Sequence, residues 1–368
     1  MIPKRKRILF LVPAFAGGVG GAERVISTLL RYVDHSRFDC HFAMVLNGDA
    51  YIQDLPAEVT LHRLCVGRIR YALPRIIQLI WKLRPQTVLS TVAYLNVMLL
   101  LARPFLPRGV RLLLREATTP SAFIAGDTEH PRLWTWFYRR LYPHADKIIC
   151  LSDSMQKDLV EHFFAPPAKV VRIYNPVDAE MIAYMAAAAA NPFTAPGPNL
   201  VAAGRLRKEK GMDLLLDALP AILQRVPGAH LTILGEGPLE ARLKKQAVSL
   251  GIDSAVSFMG FQANPWLYLK HADVFVLPSR YEGLPNAVLE ALALGTPVVA
   301  TDCPGGIREI QRSAPQIVLV PPENTGALTD AIVSILSQQK ENGKPSQAEE
   351  WLRRFNPKQI ADEYSRLF

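Results

Sequence analysis

LPSRYEGLPNAVLEALALGTPVVATD, residues 277–302, reads as one strand-loop-helix-strand unit. A strand ends at Leu277-Pro278, a helix covers Asn286–Leu294, and a second strand covers Pro297–Thr301. Two apolar strands joined by a helix mark a parallel sheet covered on both faces. Glu282 falls in the loop and Glu290 about one turn inside the helix, among Ala287, Val288, Leu289, Ala291 and Leu292. A carboxylate in such company is costly to bury without hydrogen-bonding partners. Sugar or ribose hydroxyls are suitable partners. The intervening Gly283-Leu284-Pro285-Asn286 lets backbone N–H groups at the helix start face an anion. A plain loop acid and a surface acid fit the apolar surroundings poorly.

The same rhythm extends in both directions. In the second half, strands at Leu200–Ala203, His230–Leu234, Val256–Phe258, Val274–Leu277, Pro297–Thr301 and Ile317–Val320 alternate with helical patterns. In the first half, strands are expected at Ile8–Pro13, Cys40–Leu46, Thr87–Ser90, Arg111–Leu114, Lys147–Leu151 and Val170–Ile173. Between the halves lies MAAAAANPFTAPGP (185–198), whose alanines predict a helix that the prolines end. With 368 residues the chain is long enough for two α/β cores. The expected domains are 1–175, 176–350 and an amphipathic tail, 351–368, that returns to the first domain.

Four scattered cysteines, Cys40, Cys65, Cys150 and Cys303, with no C-x-x-C pair, argue against a zinc site or disulfide framework and fit a reducing cytoplasm. The net charge of +9 is uneven: residues 1–120 carry 17 Lys/Arg against 7 Asp/Glu, the rest 25 against 26. Such a basic third attracts an anionic membrane or a polyphosphate, and no nucleic-acid-binding module accompanies it. The apolar runs at Ile8–Phe15 and 91–102 are too short to span a bilayer.

In open parallel sheets, ligands bind beyond the carboxyl ends of the strands. After the first strand comes AFAGGVGGAER (14–24), glycine-rich and leading into a helix, with Gly18, Gly20 and Gly21 placed to approach a phosphate. It matches neither a dinucleotide fingerprint nor a Walker loop, and a simple chain reversal reads the same. In AGRLRKEKG (203–211), Arg205 and Lys210 flank a helix start, which suits a diphosphate; a solvated basic loop is the alternative. In LGEGPLE (234–240), Gly235, Glu236 and Gly237 form a turn that suits a nucleotide, or only a turn.

Taken together, GGVGGAERV (17–25), YNPVD (174–178), GRLRKEKGMDLLLDAL (204–219), LGEGP (234–238) and the E-x7-E segment 282–302 resemble family 4 glycosyltransferases. The resemblance implies the GT-B architecture: an α/β protein with two Rossmann-like, doubly wound domains facing each other across a cleft. It implies a retaining, metal-independent transfer of a hexose or N-acetylhexosamine from a nucleotide sugar, UDP-linked by default, with no cofactor. By the same resemblance Glu282 contacts the donor sugar, Glu290 the ribose, Arg205 and Lys210 the leaving diphosphate. Gly18, Gly20, Gly21, Gly235, Glu236, Gly283, Leu284, Pro285 and Asn286 would also meet the donor. No D-x-D triplet occurs, which fits fixed cations in place of a metal.

Many relatives place a histidine after the fourth strand of the first domain. Here that loop reads LREATTPSAF (114–123), leaving Arg115 and Glu116 as acceptor-side candidates. The basic-aromatic stretches 68–84 and 132–147 suit a membrane interface or an ordinary helix with a basic outer face. These features point to a glycan acceptor on a polyprenyl diphosphate, at the cytoplasmic face of the plasma membrane. A catalytically silent binding subunit and a nicotinamide-dependent oxidoreductase are the competing readings.

Overall fold

The computed structural model describes residues 5–13, 21–46, 55–126, 128–194, 197–314, 316–342 and 349–368. The chain forms two compact units, one of residues 1–176 with 355–368, the other of residues 177–354.

The first unit is built on seven parallel strands: β1 (Lys6–Val12), β2 (Phe38–Met44), β3 (Thr60–Arg63), β4 (Thr87–Ser90), β5 (Arg111–Arg115), β6 (Lys147–Cys150) and β7 (Val170–Arg172). Their order is β3-β2-β1-β4-β5-β6-β7. The central strands are apolar in their middles; Ile8, Leu9, Phe10 and Val12 are fully enclosed, as a sheet covered on both faces demands. The strand at Thr60–Arg63 is absent from the sequence-based expectation. It is a half-exposed edge strand of four residues, TLHR, whose pairing to β2 supplies the order that its composition lacks.

Residues 355–368 complete this unit. Helix Pro357–Leu367 packs on helix Gly21–Tyr32. The Phe368 ring stands edge-on to Phe10 and Phe38, with centroids 5.7 and 5.5 Å apart.

The second unit holds six parallel strands: β8 (Asn199–Ala203), β9 (His230–Leu234), β10 (Val256–Phe258), β11 (Val274–Leu277), β12 (Val298–Thr301) and β13 (Ile317–Val320), in the order β10-β9-β8-β11-β12-β13. Both sheets have the doubly wound arrangement, and the pair makes the two-domain GT-B fold. The strand order of the second sheet reverses between β8 and β11, which pair through Val274–Leu200 and Phe275–Val201. A reversal of this kind opens a crevice beyond the carboxyl ends of the two strands.

The alanine run departs from expectation. Helix Ala179–Ala186 ends before most of it, with the N–H of Ala187 bonded back to Ala183, and Ala187–Ala190 are exposed. Alanine propensity alone does not hold a short helix that buries no face.

Candidate active site

The loops after β8, β9, β11 and β12 lie stacked at one end of the second sheet, close enough to exclude side chains. A Cβ on Gly211 would come within 1.9 Å of the Pro278 carbonyl oxygen, and Gly211 holds φ +63°, in the left-handed region open to glycine. A Cβ on Gly235 would meet the Gly204 carbonyl oxygen at 2.1 Å. The N–H of Gly306 donates to Gly283 at 2.7 Å, so the loop after β12 backs the loop after β11.

This stacking brings Lys210 and Glu282 together from the two strands flanking the reversal. Lys210 Nζ donates to Glu282 Oε1 at 2.7 Å and to Oε2 at 2.9 Å. Ser279 Oγ donates to Oε1 at 2.7 Å, and the backbone N–H of Glu282 bonds Pro304 at 2.9 Å. Glu282 is buried. Burial works against the Lys210 ammonium, but the Glu282 carboxylate beside it holds the lysine pKa above its ordinary value. Buried Cys303 stays a thiol: burial first, then the Glu282 charge, pushes its pKa up to about 12.

The other residues singled out in the sequence sort by their surroundings. Lys210 turns inward, Arg205 is half-buried, and Arg207 and Lys208 are exposed. Glu290 is buried in helix Asn286–Ala293 among Val288, Leu289 and Ala291, with Pro285 as the residue preceding the helix and Leu284 buried beside it. Glu236 spends Oε1 on the backbone N–H of Phe261 at 3.2 Å, which pins the turn around Gly235. Gly21 opens helix Gly21–Tyr32, whereas Gly18 and Gly20 lie outside the described residues. Among the described residues no three His, Cys, Asp or Glu side chains cluster as a metal cage requires.

Sequence reasoning passed over Arg280, two residues before Glu282. Its guanidinium meets both Asp213 carboxylate oxygens at 2.8 and 2.9 Å, Glu323 at 2.6 Å and the Lys208 carbonyl at 2.7 Å. Its own N–H donates to Glu209 at 2.8 Å. Arg280 thereby ties the turn carrying Lys210 to the loop carrying Glu282. An arginine in a polar loop gives no sequence signal that separates such a tie from a solvated charge.

Arg115 and Glu116 are not open loop residues. Arg115 ends β5, is 1% exposed, and donates to Asn175 at 2.5 Å. Glu116 is enclosed by Asn96 Nδ2 at 2.8 Å, Tyr138 Oη at 3.1 Å and Tyr142 Oη, all donating to its carboxylate. Burial pushes its pKa up to about 7 against the pull of these donors. The two residues expected on the acceptor side are thus both buried in the first unit, Arg115 bonded to Asn175 and Glu116 to Asn96, Tyr138 and Tyr142.

Two family models match the chain in succession, "Glycosyltransferase Family 4" over residues 19–181 and "Glycosyl transferases group 1" over residues 197–338. The chain is 29% identical over 334 residues to an N-acetylgalactosamine-N,N'-diacetylbacillosaminyl-diphospho-undecaprenol 4-alpha-N-acetylgalactosaminyltransferase of Campylobacter jejuni, covering 88% of each. Among solved structures, a sucrose-phosphate synthase of Thermosynechococcus elongatus superposes with a TM-score of 0.81 at 19% identity, over 99% of this chain and 98% of that one. Anabaena HepE in complex with UDP-glucose superposes at 0.77 and 18% identity, over 98% of each. At such identities the solved structures speak for the fold alone.

Proposed function

Because the chain belongs to the family 4, group 1 glycosyltransferases, we propose that it moves a hexose or N-acetylhexosamine from a UDP-sugar to a glycan carried on a polyprenyl diphosphate, with retention and without a metal. The observation that carries the donor half is the Lys210–Glu282 pair at the point where the sheet order reverses. Breaking the bond between the anomeric carbon and the diphosphate oxygen leaves positive charge on the sugar and negative charge on the leaving group. Lys210 and Arg205 supply fixed cations for the diphosphate, and Glu282 accepts hydroxyls of the sugar while its charge favours the cationic ring. Glu290, at the first turns of helix Asn286–Ala293, accepts the ribose hydroxyls. The acceptor hydroxyl oxygen bonds the anomeric carbon from the face the diphosphate leaves, and its proton departs with the phosphate oxygen. Glu282 is thus not a double-displacement nucleophile.

The lipid-linked acceptor is supported by the Campylobacter relative, whose name carries a diphospho-undecaprenol substrate. Such an acceptor places the protein at the cytoplasmic face of a membrane as a peripheral partner. No helix among the described residues is long and apolar enough to cross one. Thermal unfolding with a panel of nucleotides and nucleotide sugars, on wild type and Glu290→Ala, tests the reading. A ligand at about 100 times its dissociation constant adds roughly 2.7 kcal/mol. One UDP-sugar should raise the wild-type midpoint and do so far less in the variant; a chain indifferent to every nucleotide sugar overturns the donor assignment.

A further inference from the structure

Residues 59–115 contain ten Lys/Arg and neither Asp nor Glu, whereas the rest of the chain carries 32 against 33. The basic excess of the protein therefore sits in one block of 57 residues. That block folds as β3, the turn Ile69–Tyr71, helix Leu73–Leu83, β4, helix Ala93–Ala102, the turn Arg103–Phe105 and β5. The steps from β3 to β4 and from β4 to β5 run in the same direction across the sheet, opposite to those from β1 to β3. Right-handed crossovers then put both helices on one face, away from helix Gly21–Tyr32. The two helices touch, and each touches the turn Ile69–Tyr71.

Large apolar side chains point outward from this face. Phe105 is 64% exposed, Tyr71 61% and Trp81 45%, and Leu101 is exposed beside them. The Trp81 indole N–H donates to the Phe105 carbonyl at 2.8 Å, which fixes these two rings' segments together. Guanidinium groups cover the rings: Arg84 lies 4.1 Å from the Trp81 centroid and Arg70 lies 5.1 Å from that of Tyr71. Trp81 and Phe105 make an exposed aromatic pair at one end of helix Leu73–Leu83, with Tyr71 exposed at its other end, and exposed apolar groups of this size mark a surface that meets something. The indole and phenol rings have a polar edge, and they sit in a segment with ten cations and no acid of its own, although Asp146 from outside the segment pairs with Arg103 at 2.9 Å; this matches the headgroup layer of an anionic bilayer in polarity and charge.

We propose that this face, formed by helices Leu73–Leu83 and Ala93–Ala102 with their two flanking turns, docks the protein on an anionic phospholipid leaflet. Trp81, Tyr71 and Phe105 enter the headgroup layer, and Lys82, Arg84 and Arg108 lie against lipid phosphates. The inference builds on the reading that the acceptor is lipid-linked, and gives that reading a surface.

The test is co-sedimentation of the full chain with vesicles of phosphatidylcholine alone, or with about a quarter phosphatidylglycerol, at low and high salt. Three double variants are compared with wild type: Lys82→Glu/Arg108→Glu, Trp81→Ser/Phe105→Ser, and, in the second unit, Arg242→Glu/Lys245→Glu. Wild type should bind only the anionic vesicles, and lose at least about tenfold in binding between roughly 0.05 and 0.5 M salt. Each reversed charge on the face should weaken binding by roughly fivefold or more, while Arg242→Glu/Lys245→Glu leaves it unchanged. The charge variant alters exposed side chains alone, so its thermal midpoint should match wild type and an effect on binding cannot come from misfolding. Equal binding to neutral vesicles, equal loss in the control variant, or a preference for RNA over anionic vesicles each overturns the proposal. Sugar transfer to a water-soluble acceptor separates the two readings. It should be unchanged in Lys82→Glu/Arg108→Glu; if no donor supports it in wild type while vesicle binding behaves as stated, the transfer reading fails and the docking face stands.

Discussion

Lys210 holds both carboxylate oxygens of Glu282, at 2.7 and 2.9 Å, across the reversal in strand order between β8 and β11. The two residues are 72 positions apart in sequence. They meet because each follows one of the two strands that border the crevice. The pair is an electrostatic clasp for the loops and, on the proposed function, also the charge that a diphosphate-sugar engages.

Removing one partner separates these roles. In Lys210→Ala the buried Glu282 carboxylate loses its cation, which costs about 2–3 kcal/mol; this is the lower end for a buried pair, since the lysine side chain is 24% exposed. Adding Glu282→Gln should restore most of the thermal midpoint, because no buried charge is left uncompensated. Turnover should stay down by about a hundredfold or more in both variants. Recovery of turnover in the double variant would mark the pair as structural only.

Arg280 is expected to act through Lys210 and Glu282. Arg280→Lys keeps the charge but gives up the two-pronged grip on Asp213 and the bond to Glu323. Stability should fall by about 1–3 kcal/mol. Turnover should fall more than the Michaelis constant for the donor rises, since the positions of the two charges are disturbed and not their presence. Steady-state kinetics at saturating donor reads this directly.

Gly211→Ala places a methyl group 1.9 Å from the Pro278 carbonyl and forces an L-residue to φ +63°. The backbone term alone costs about 1–2 kcal/mol, and the clash must move the loop that carries Lys210. Loss of donor-induced thermal stabilisation is the expected result. Gly109→Ala is the matched control: it has φ +84° with nothing within 4 Å of the added carbon, so it should show the strain without the loss of donor response.

Glu116 makes stability depend on pH. Its pKa in the fold, about 7, lies above the ordinary 4.5, so between those values the folded protein keeps a proton that the unfolded chain has released. Stability therefore falls as pH rises from about 4.5 to about 7, by an amount on the order of 3 kcal/mol, and this contribution levels off above. Glu116→Gln should remove that part of the slope. Midpoints of wild type and variant, compared across this window, check it; parallel curves would show that burial does not raise the carboxyl.

The fold class was legible because strands covered on both faces must be apolar along their length, and the central β11 and β12 of the second sheet, VFVL and VVAT, are buried throughout. Thr60–Arg63 escaped notice because an edge strand needs no such run, and the alanines after Ala186 misled because propensity was read without a face to bury. The candidate site was legible where chemistry is local: Glu290 is a costly acid in an apolar helix, and Glu282 stands in the glycine-containing loop just before it. It was illegible where partners come from afar. Nothing near Glu116 announces Asn96, Tyr138 and Tyr142, and nothing near Arg280 announces Asp213 or Glu323.

The packing of residues 355–368 on the first unit sets an order of events during synthesis. Lys6 Nζ bonds the Phe368 carbonyl at 3.1 Å, a contact between residues 362 positions apart, and Ile360, Tyr364 and Phe368 are buried in that unit. As the chain leaves the ribosome, residues 1–176 emerge first but present an uncovered apolar face until the whole of the second unit has followed. The second unit, continuous from 177 to 354, has all its parts before that. The unit begun first is therefore the unit finished last, and its uncovered apolar face must be kept from other chains for the time that almost 200 further residues take to translate.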